Sequence, residues 1–200
     1  MSEIEIVLAS SSASRRAMLE AAGVRFTVVV PNVDEELMRD MLTSGGADPY
    51  RIAHALAEAK ALAVSERHPD ALVLGADQLL LCEGRIFSKA VDENEARATL
   101  LALSGREHAL ISAAVIARNG VGVWQRTETA RLRMRAFSRG FLDRYLTAEL
   151  PDVLGSVGCY RIEREGVQLF SEIVGDQFCI RGLPLLGVLQ ALRDFGALLP

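Results

Sequence analysis

The sequence predicts a mixed α/β fold. Short β-branched apolar runs, typical of buried strands, alternate with segments whose apolar residues recur at helical spacing. Asn119-Gly120 separates two long apolar runs and predicts an antiparallel hairpin, which favours a mixed sheet over a fully parallel one. The chain has 200 residues, 50% of them hydrophobic, and is therefore long enough to bury a core as one domain over residues 1–200.

In the first half of the chain, most predicted elements have their own start or stop signal. Residues 4–9 form a strand bounded by serines, and Ser12 then caps a helix that Gly23 ends. Asp48 followed by Pro49 begins a second helix, which reaches about residue 67. Further strands are predicted at residues 26–30, 71–76 and 79–82.

The second half contains the predicted hairpin and three further helices. Asp92 and Glu95 form a capping box for a helix that ends near Leu103. Strands at residues 109–117 and 121–134 flank the Asn119-Gly120 turn. The remaining predicted elements are a helix at residues 138–148, a strand at residues 167–174 and a closing helix at residues 185–195.

Charge and cysteine content exclude several classes of protein. The formal charge of −4 argues against a protein that coats nucleic acid, although a single nucleotide needs only a local basic cluster. Cys82, Cys159 and Cys179 lie far apart without C-x-x-C spacing, which fits small core residues in a reducing cytosol. The longest apolar run, at residues 109–117, is far shorter than the ~20 residues that span a membrane. We expect a soluble cytoplasmic protein with no nucleic-acid or membrane partner.

Residues that can bind phosphate, bind metal or move a proton follow the apolar runs. In α/β proteins, ligands bind at the ends of strands, and a helix N-terminus such as the one after Ser12 favours an anion. The pattern therefore predicts a site for a phosphorylated small molecule. The residues concerned are Ser10, Arg15, Arg16, Asp34, Glu35, Lys60, Asp77 and Lys89.

Each of these residues also has an ordinary structural interpretation. Ser12 can cap a helix whose arginines are simply solvated, and Asp77 can be a turn aspartate that accepts from local backbone N–H groups. Glu35 can belong to a solvated acidic turn, and Lys60 can be an exposed helix lysine. Taken one by one, the residues leave both interpretations open.

An ordered series of segments resembles a known family. The segments are LASSSASRRAMLEAAGVRF, VDEE, ALAEAKA, VLGADQ, SKA, LSGREH and IRGLPL, and the match runs from Ile6 to about Leu192. In this order and spacing they resemble the Maf family of nucleoside triphosphate pyrophosphatases. The resemblance implies an α/β fold with a mixed, elongated central sheet flanked by helices, in two lobes with a cleft between them.

The resemblance also implies an activity. A metal-dependent hydrolase of this family splits a nucleoside triphosphate between its α and β phosphates, giving a nucleoside monophosphate and pyrophosphate. Asp77, Glu35 and Lys89 are the implied catalytic residues, and Asp77 and Glu35 would hold a divalent cation, Mg²⁺ or Mn²⁺. A homodimer is a further expectation. The implied substrate-binding residues are Ser10, Ser14, Arg15, Arg16, Lys60, Gln78 and Glu163.

Three positions, Ser14, Gln78 and Glu163, match those that separate substrate branches of the family. A branch that prefers dTTP or UTP tends to have Arg, Thr and Gln there, whereas the pair Gln78 and Glu163 resembles the branch that prefers 7-methyl-GTP. A carboxylate can accept from the N1–H and amine of guanine, and methylation at N7 adds a positive charge that strengthens such a bond. The alternative functions are a dTTP and UTP pyrophosphatase and a nucleotide-binding regulator of cell division with little turnover. The alternative interpretation of Glu163 is an exposed loop residue that pairs with an arginine.

The chain departs from the family pattern at three places. Ala90 stands where a proline usually follows the lysine, and residues 150–157 are divergent. Arg181 stands where a small apolar residue is usual, and the sequence gives it no role.

Overall fold

A computed structural model describes residues 4–199. Within this range the chain forms seven strands, seven α-helices and two short 3₁₀ segments, Asp152–Gly155 and Glu165–Leu169. The strands are β1 (Ile6–Ala9), β2 (Thr27–Val28), β3 (Leu72–Cys82), β4 (Arg85–Phe87), β5 (Glu107–Arg118), β6 (Val121–Met134) and β7 (Phe170–Val174). The helices are α1 (Ala13–Ala21), α2 (Glu35–Ser44), α3 (Pro49–Ser65), α4 (Glu93–Leu103), α5 (Arg139–Glu149), α6 (Gln177–Ile180) and α7 (Leu185–Asp194).

The strands form a mixed sheet in the order β2-β1-β3-β5-β6-β7, with β4 paired to β3 outside this path. Strand β1 runs parallel to both neighbours, with Leu8 opposite Val28 on β2 and Leu74 on β3. The β3–β4 and β6–β7 pairs are antiparallel. Parallel and antiparallel pairs in one sheet flanked by helices confirm the mixed α/β class that the sequence predicts.

The chain divides into two compact units. The first unit contains the described residues up to Gln78, the segment Ser112–Glu128 and the described residues from Gly182 onward. The second unit contains Leu79–Ile111 and Thr129–Arg181. Strands β3, β5 and β6 each contribute residues to both units. The single domain over residues 1–200 and the cleft stay predictions.

Local sequence signals explain where several elements begin. Ser12, Asp48, Asp92 and Ser138 are the N-caps of α1, α3, α4 and α5, and each side chain accepts a hydrogen bond from a backbone N–H three residues later. Asn119 and Gly120 both have positive φ angles, 52° and 72°, as a two-residue hairpin turn requires. These predicted boundaries are confirmed.

Three predictions about elements are wrong, and helix α2 lies where no helix is predicted. The strands expected at residues 71–76 and 79–82 are one continuous strand, β3, because Gly75-Ala76-Asp77 continues the ladder instead of turning. The strand expected at residues 26–30 shortens to β2, and residues 165–169 form a 3₁₀ segment ahead of β7. Helix α2 was not expected, since Asp34 resembled a turn residue but is the N-cap of that helix.

The second unit packs around a continuous apolar core that includes its cysteines. Cys82, Cys159 and Cys179 are buried and form no disulfide, which confirms the prediction that they are small core residues. Burial raises the pKa of the Cys159 thiol to about 11, so its reactive thiolate form is rare at neutral pH.

No helix within residues 4–199 is long and apolar enough to cross a membrane.

A buried histidine lies among aromatic rings in the second unit. His108 is 2% exposed, and its Nε2 shares a 2.8 Å hydrogen bond with the hydroxyl of Tyr160. Its Nδ1 has no hydrogen-bond partner within the described part of the chain. Protonation would therefore bury an N–H without an acceptor, and burial lowers the pKa of His108 to about 4.

We predict that His108 makes the fold less stable in acid. The unfolded chain binds a proton at this histidine near pH 6.5, whereas the folded chain binds it only near pH 4, so stability falls as pH drops through that window. The loss by pH 4 should be about 3 kcal/mol. Urea unfolding of His108→Gln between pH 7 and pH 4 should show a flatter pH dependence than wild type. His68→Gln is the matched control, and parallel curves for His108→Gln and wild type would contradict the assignment.

Candidate active site

The first unit places a serine and an arginine at the end of strand β1. Ser10 directly follows the strand and is 5% exposed, and its Oγ accepts from the backbone N–H of Ser12 and from Arg15 Nη1 at 3.3 Å. Arg15 Nε donates to the carbonyl of Gly182 at 2.8 Å. Two polar anchors therefore hold the buried guanidinium at the start of helix α1.

Burial lowers the pKa of Arg15, and the nearby carboxylates Asp77 and Glu35 oppose that shift. Because an arginine guanidinium loses its proton only far above neutral pH, Arg15 stays cationic. The opposing shifts also show that Arg15 lies within electrostatic range of both carboxylates. A fixed, desolvated cation of this kind suits the oxygens of a phosphate.

Lys60 joins the two carboxylates directly. Its Nζ lies 2.7 Å from Asp77 Oδ1 and 2.7 Å from Glu35 Oε2. Lys60 and Asp77 are both buried, with 5% and 7% of their side-chain surface exposed, whereas Glu35 is 42% exposed. Helix α3, strand β3 and the first turn of helix α2 thus each contribute one charge to the cluster.

A close approach of helix α3 to strand β3 sets the Lys60–Asp77 contact. A Cβ atom on Gly75 would lie only 2.6 Å from the backbone nitrogen of Ala61, and it would also collide with the carbonyl of Ala57. Only glycine fits this position without a shift of the backbone. The small residues bring the helix against the strand within a few residues of the ion pair.

Asp77 keeps one oxygen available. Its Oδ2 is buried and accepts no hydrogen bond from any residue between 4 and 199. A buried unsatisfied acceptor costs about 1–3 kcal/mol, and an oxygen retained at such a cost is typical of a functional site. This oxygen can take a proton from water or bind a cation.

The amide of Gln78 lies at the edge of the same cluster. Gln78 Nε2 donates to Ser112 Oγ at 3.0 Å. Gly182, with φ of +98°, lies next to both side chains, since a Cβ atom there would be in ordinary contact, 3.6 Å, with Arg15 Nε and with Gln78 Oε1. Ser112 therefore helps to fix the orientation of a residue that the sequence links to the base.

Four other predicted site residues lie on helix α1 and in the second unit. Arg16 lies on the exposed side of helix α1, and Ser14 is half-buried in the same helix. Lys89 and Glu163 belong to the second unit, where Lys89 is exposed between β4 and α4. Glu163 lies ahead of the Glu165–Leu169 segment and pairs with Arg181, whose Nε is 3.8 Å from Glu163 Oε1.

Comparison with a family model decides the relationship of the chain. The model described as Maf-like protein matches residues 5–195. The chain belongs to the Maf family. The resemblance predicted from the sequence is thereby confirmed.

Three relatives cover nearly the whole chain. A protein of Granulibacter bethesdensis named nucleoside triphosphate pyrophosphatase is 47% identical, over 98% of this chain and 99% of the relative. A protein of Paramagnetospirillum magneticum with the same name is 50% identical, over 97% of this chain and 100% of the relative. A protein of Mesorhizobium japonicum named 7-methyl-GTP pyrophosphatase is 48% identical, over 97% of this chain and 98% of the relative.

Two features of this Maf site differ from the sequence prediction. Asp77 was expected at the end of a strand, but it lies inside β3, because the ladder continues through Gly75-Ala76-Asp77 to Cys82. The carbonyl of Gly182 and the hydroxyl of Ser112 were not expected in the site. Ser112 had a detectable signal, since it is the polar interruption of the apolar run 109–117. A backbone carbonyl leaves no such signal.

We predict that Gly75→Ala destabilises the Maf fold by about 1–3 kcal/mol or more, because the added methyl collides with backbone atoms of helix α3. Gly140→Ala is the matched control, since a Cβ atom at that helical position meets nothing within 4 Å. Thermal unfolding of both variants measures the difference. Equal melting temperatures would show that helix α3 can move away from the strand at little cost.

Proposed function

We propose that this chain hydrolyses a nucleoside triphosphate to a nucleoside monophosphate and pyrophosphate. The observation that carries the proposal is the Glu35–Lys60–Asp77 cluster beside the buried Arg15, with one unsatisfied carboxylate oxygen. Relatives that match nearly the full length are named nucleoside triphosphate pyrophosphatase and 7-methyl-GTP pyrophosphatase. A triphosphate needs fixed cations, and hydrolysis needs a carboxylate that can accept a proton from water.

In the proposed reaction a water oxygen forms a bond to the α-phosphorus. The bond from that phosphorus to the α–β bridging oxygen breaks, and pyrophosphate leaves with the bridging oxygen. Asp77 accepts the proton of the attacking water at Oδ2, the oxygen without a hydrogen-bond donor. Arg15 and Lys60 stabilise the negative charge that moves onto the phosphate oxygens. Ser10 holds Arg15 in place for this role.

The residues present fit a divalent cation of the Mg²⁺ or Mn²⁺ type. No cluster of three or more His, Cys, Asp or Glu side chains suited to a metal occurs within residues 4–199. Mg²⁺ is commonly bound by one or two carboxylates together with substrate phosphates and water, so Glu35 and Asp77 suffice as protein ligands. When bound, the cation would neutralise part of the triphosphate charge and polarise its P–O bonds.

The resemblance to the family assigns roles to five further residues. Lys89 contacts the triphosphate and assists catalysis, Arg16 and Ser14 contribute to substrate binding, and Gln78 with Glu163 contacts the base. We place the activity in the cytoplasm, because the cysteines are buried thiols without disulfides, as is usual in reducing compartments.

The proposed base preference is for 7-methyl-GTP or another modified purine over dTTP and UTP. The carboxylate of Glu163 can accept from the guanine edge, whereas a pyrimidine that presents a carbonyl there would be repelled. We predict that wild-type protein with Mg²⁺ or Mn²⁺ releases pyrophosphate fastest from 7-methyl-GTP in a panel with GTP, dTTP and UTP. If dTTP and UTP react fastest, the base preference is wrong while the pyrophosphatase proposal stands. If no triphosphate reacts, the proposed function is wrong.

We predict that Asp77→Asn lowers kcat by at least 10²-fold, because an amide does not accept a proton at neutral pH and a general base contributes about 10²–10⁴-fold. Asn keeps an oxygen for Lys60, so the variant should stay folded, which circular dichroism checks. Asp70→Asn makes the same change at an exposed turn before β3 and should keep full activity. An Asp77→Asn variant with more than a tenth of wild-type kcat would assign the proton transfer to another group, with Glu35 the next candidate.

A further inference from the structure

The segment that carries Glu163 is fixed on both sides. Arg161 Nε and Nη2 donate to Glu149 Oε2 at 3.0 and 2.8 Å, and Arg161 Nη1 lies 2.8 Å from Asp152 Oδ2. The backbone N–H of Glu165 donates to the other oxygen of Glu149 at 3.3 Å. Glu149 is only 4% exposed, so this anchor is protected from solvent.

The turn between these two anchors is tight. The backbone N–H of Arg164 donates to the carbonyl of Arg161 at 3.2 Å. A Cβ atom on Gly166 would lie 2.8 Å from the backbone nitrogen of Arg161, so the chain closes onto itself there. The backbone at Glu163 is consequently held, and the direction and charge of its side chain decide what it offers to a ligand.

The charge of Glu163 has a partner that its own turn does not supply. Arg181, at the end of helix α6, has its Nε 3.8 Å from Glu163 Oε1. The two side chains are 23% and 36% exposed, so water screens the attraction only partly. The distance exceeds that of a hydrogen bond but lies within ion-pair range. Arg181 thus offsets part of the negative charge of Glu163.

We propose that Arg181 is a specificity-determining residue of this chain, which acts by partly neutralising Glu163. This rests on the proposed function, in which Glu163 contacts the base. A carboxylate attracts the cationic ring of 7-methylguanine more than the neutral ring of guanine, and an adjacent guanidinium reduces that difference. Arg181 therefore widens the range of purine triphosphates that the enzyme accepts. The small apolar residue usual at this position would leave Glu163 at full charge.

The test compares kcat/KM for 7-methyl-GTP with kcat/KM for GTP, because the two bases differ by one methyl group and its charge. Arg181→Ala should raise this ratio about two- to fivefold, the effect of one partly exposed ion pair. Arg164→Ala removes the same charge next to Glu163 in sequence and should leave the ratio unchanged. In a Glu163→Gln background, Arg181→Ala should have no effect on the ratio.

An unchanged ratio in Arg181→Ala, an equal rise in Arg164→Ala, or a rise that persists in the Glu163→Gln background would overturn the inference. Arg181→Met keeps the apolar length of the side chain and replaces Arg181→Ala if thermal unfolding shows that the alanine variant is unfolded. If the wild-type protein releases pyrophosphate but Arg181→Ala has the same ratio as wild type, this inference alone is contradicted. Wild-type protein that releases none from any triphosphate contradicts the proposed function.

Discussion

The contact between Lys60 and Asp77 is the constraint on which the candidate site depends. An ammonium group and a carboxylate that are both almost fully buried must stay paired, because separating them would leave two uncompensated charges in a poorly solvated place. Helix α3 and strand β3 carry these two residues. They meet so closely that a side chain larger than that of glycine does not fit at Gly75 of the strand. The same approach of helix α3 to strand β3 therefore packs the first unit and forms the candidate site. Glu35 adds a second carboxylate to the same ammonium from the more exposed start of helix α2.

The residues to which we assign roles in the proposed function lie in both units. The first unit holds the groups suited to phosphate and to proton transfer, namely Arg15, Lys60 and Asp77. The second unit holds Glu163, the proposed base contact, on a turn fixed by Arg161 and Glu149.

Much of this arrangement follows from the sequence, and the exceptions have physical causes. N-caps and the Asn119-Gly120 turn act within a few residues, so a local reading finds them. Gly75-Ala76-Asp77 resembles a turn by composition, but the ladder of β3, which lies between β1 and β5 in the sheet, continues through it. The carbonyl of Gly182 reaches Arg15 from 167 residues away, and backbone atoms carry no residue-specific signal. Local preferences are thus visible in the sequence, whereas long-range contacts that override them are not.

The distribution of the cysteines has a practical consequence. All three thiols are buried in the second unit, and the first unit has none. A thiol-alkylating reagent can therefore react only with molecules in which the second unit has opened, since the closed form shields the sulfur atoms. The rate of labelling then reports the opening of that unit without an introduced probe. A ligand that binds the second unit should slow this labelling.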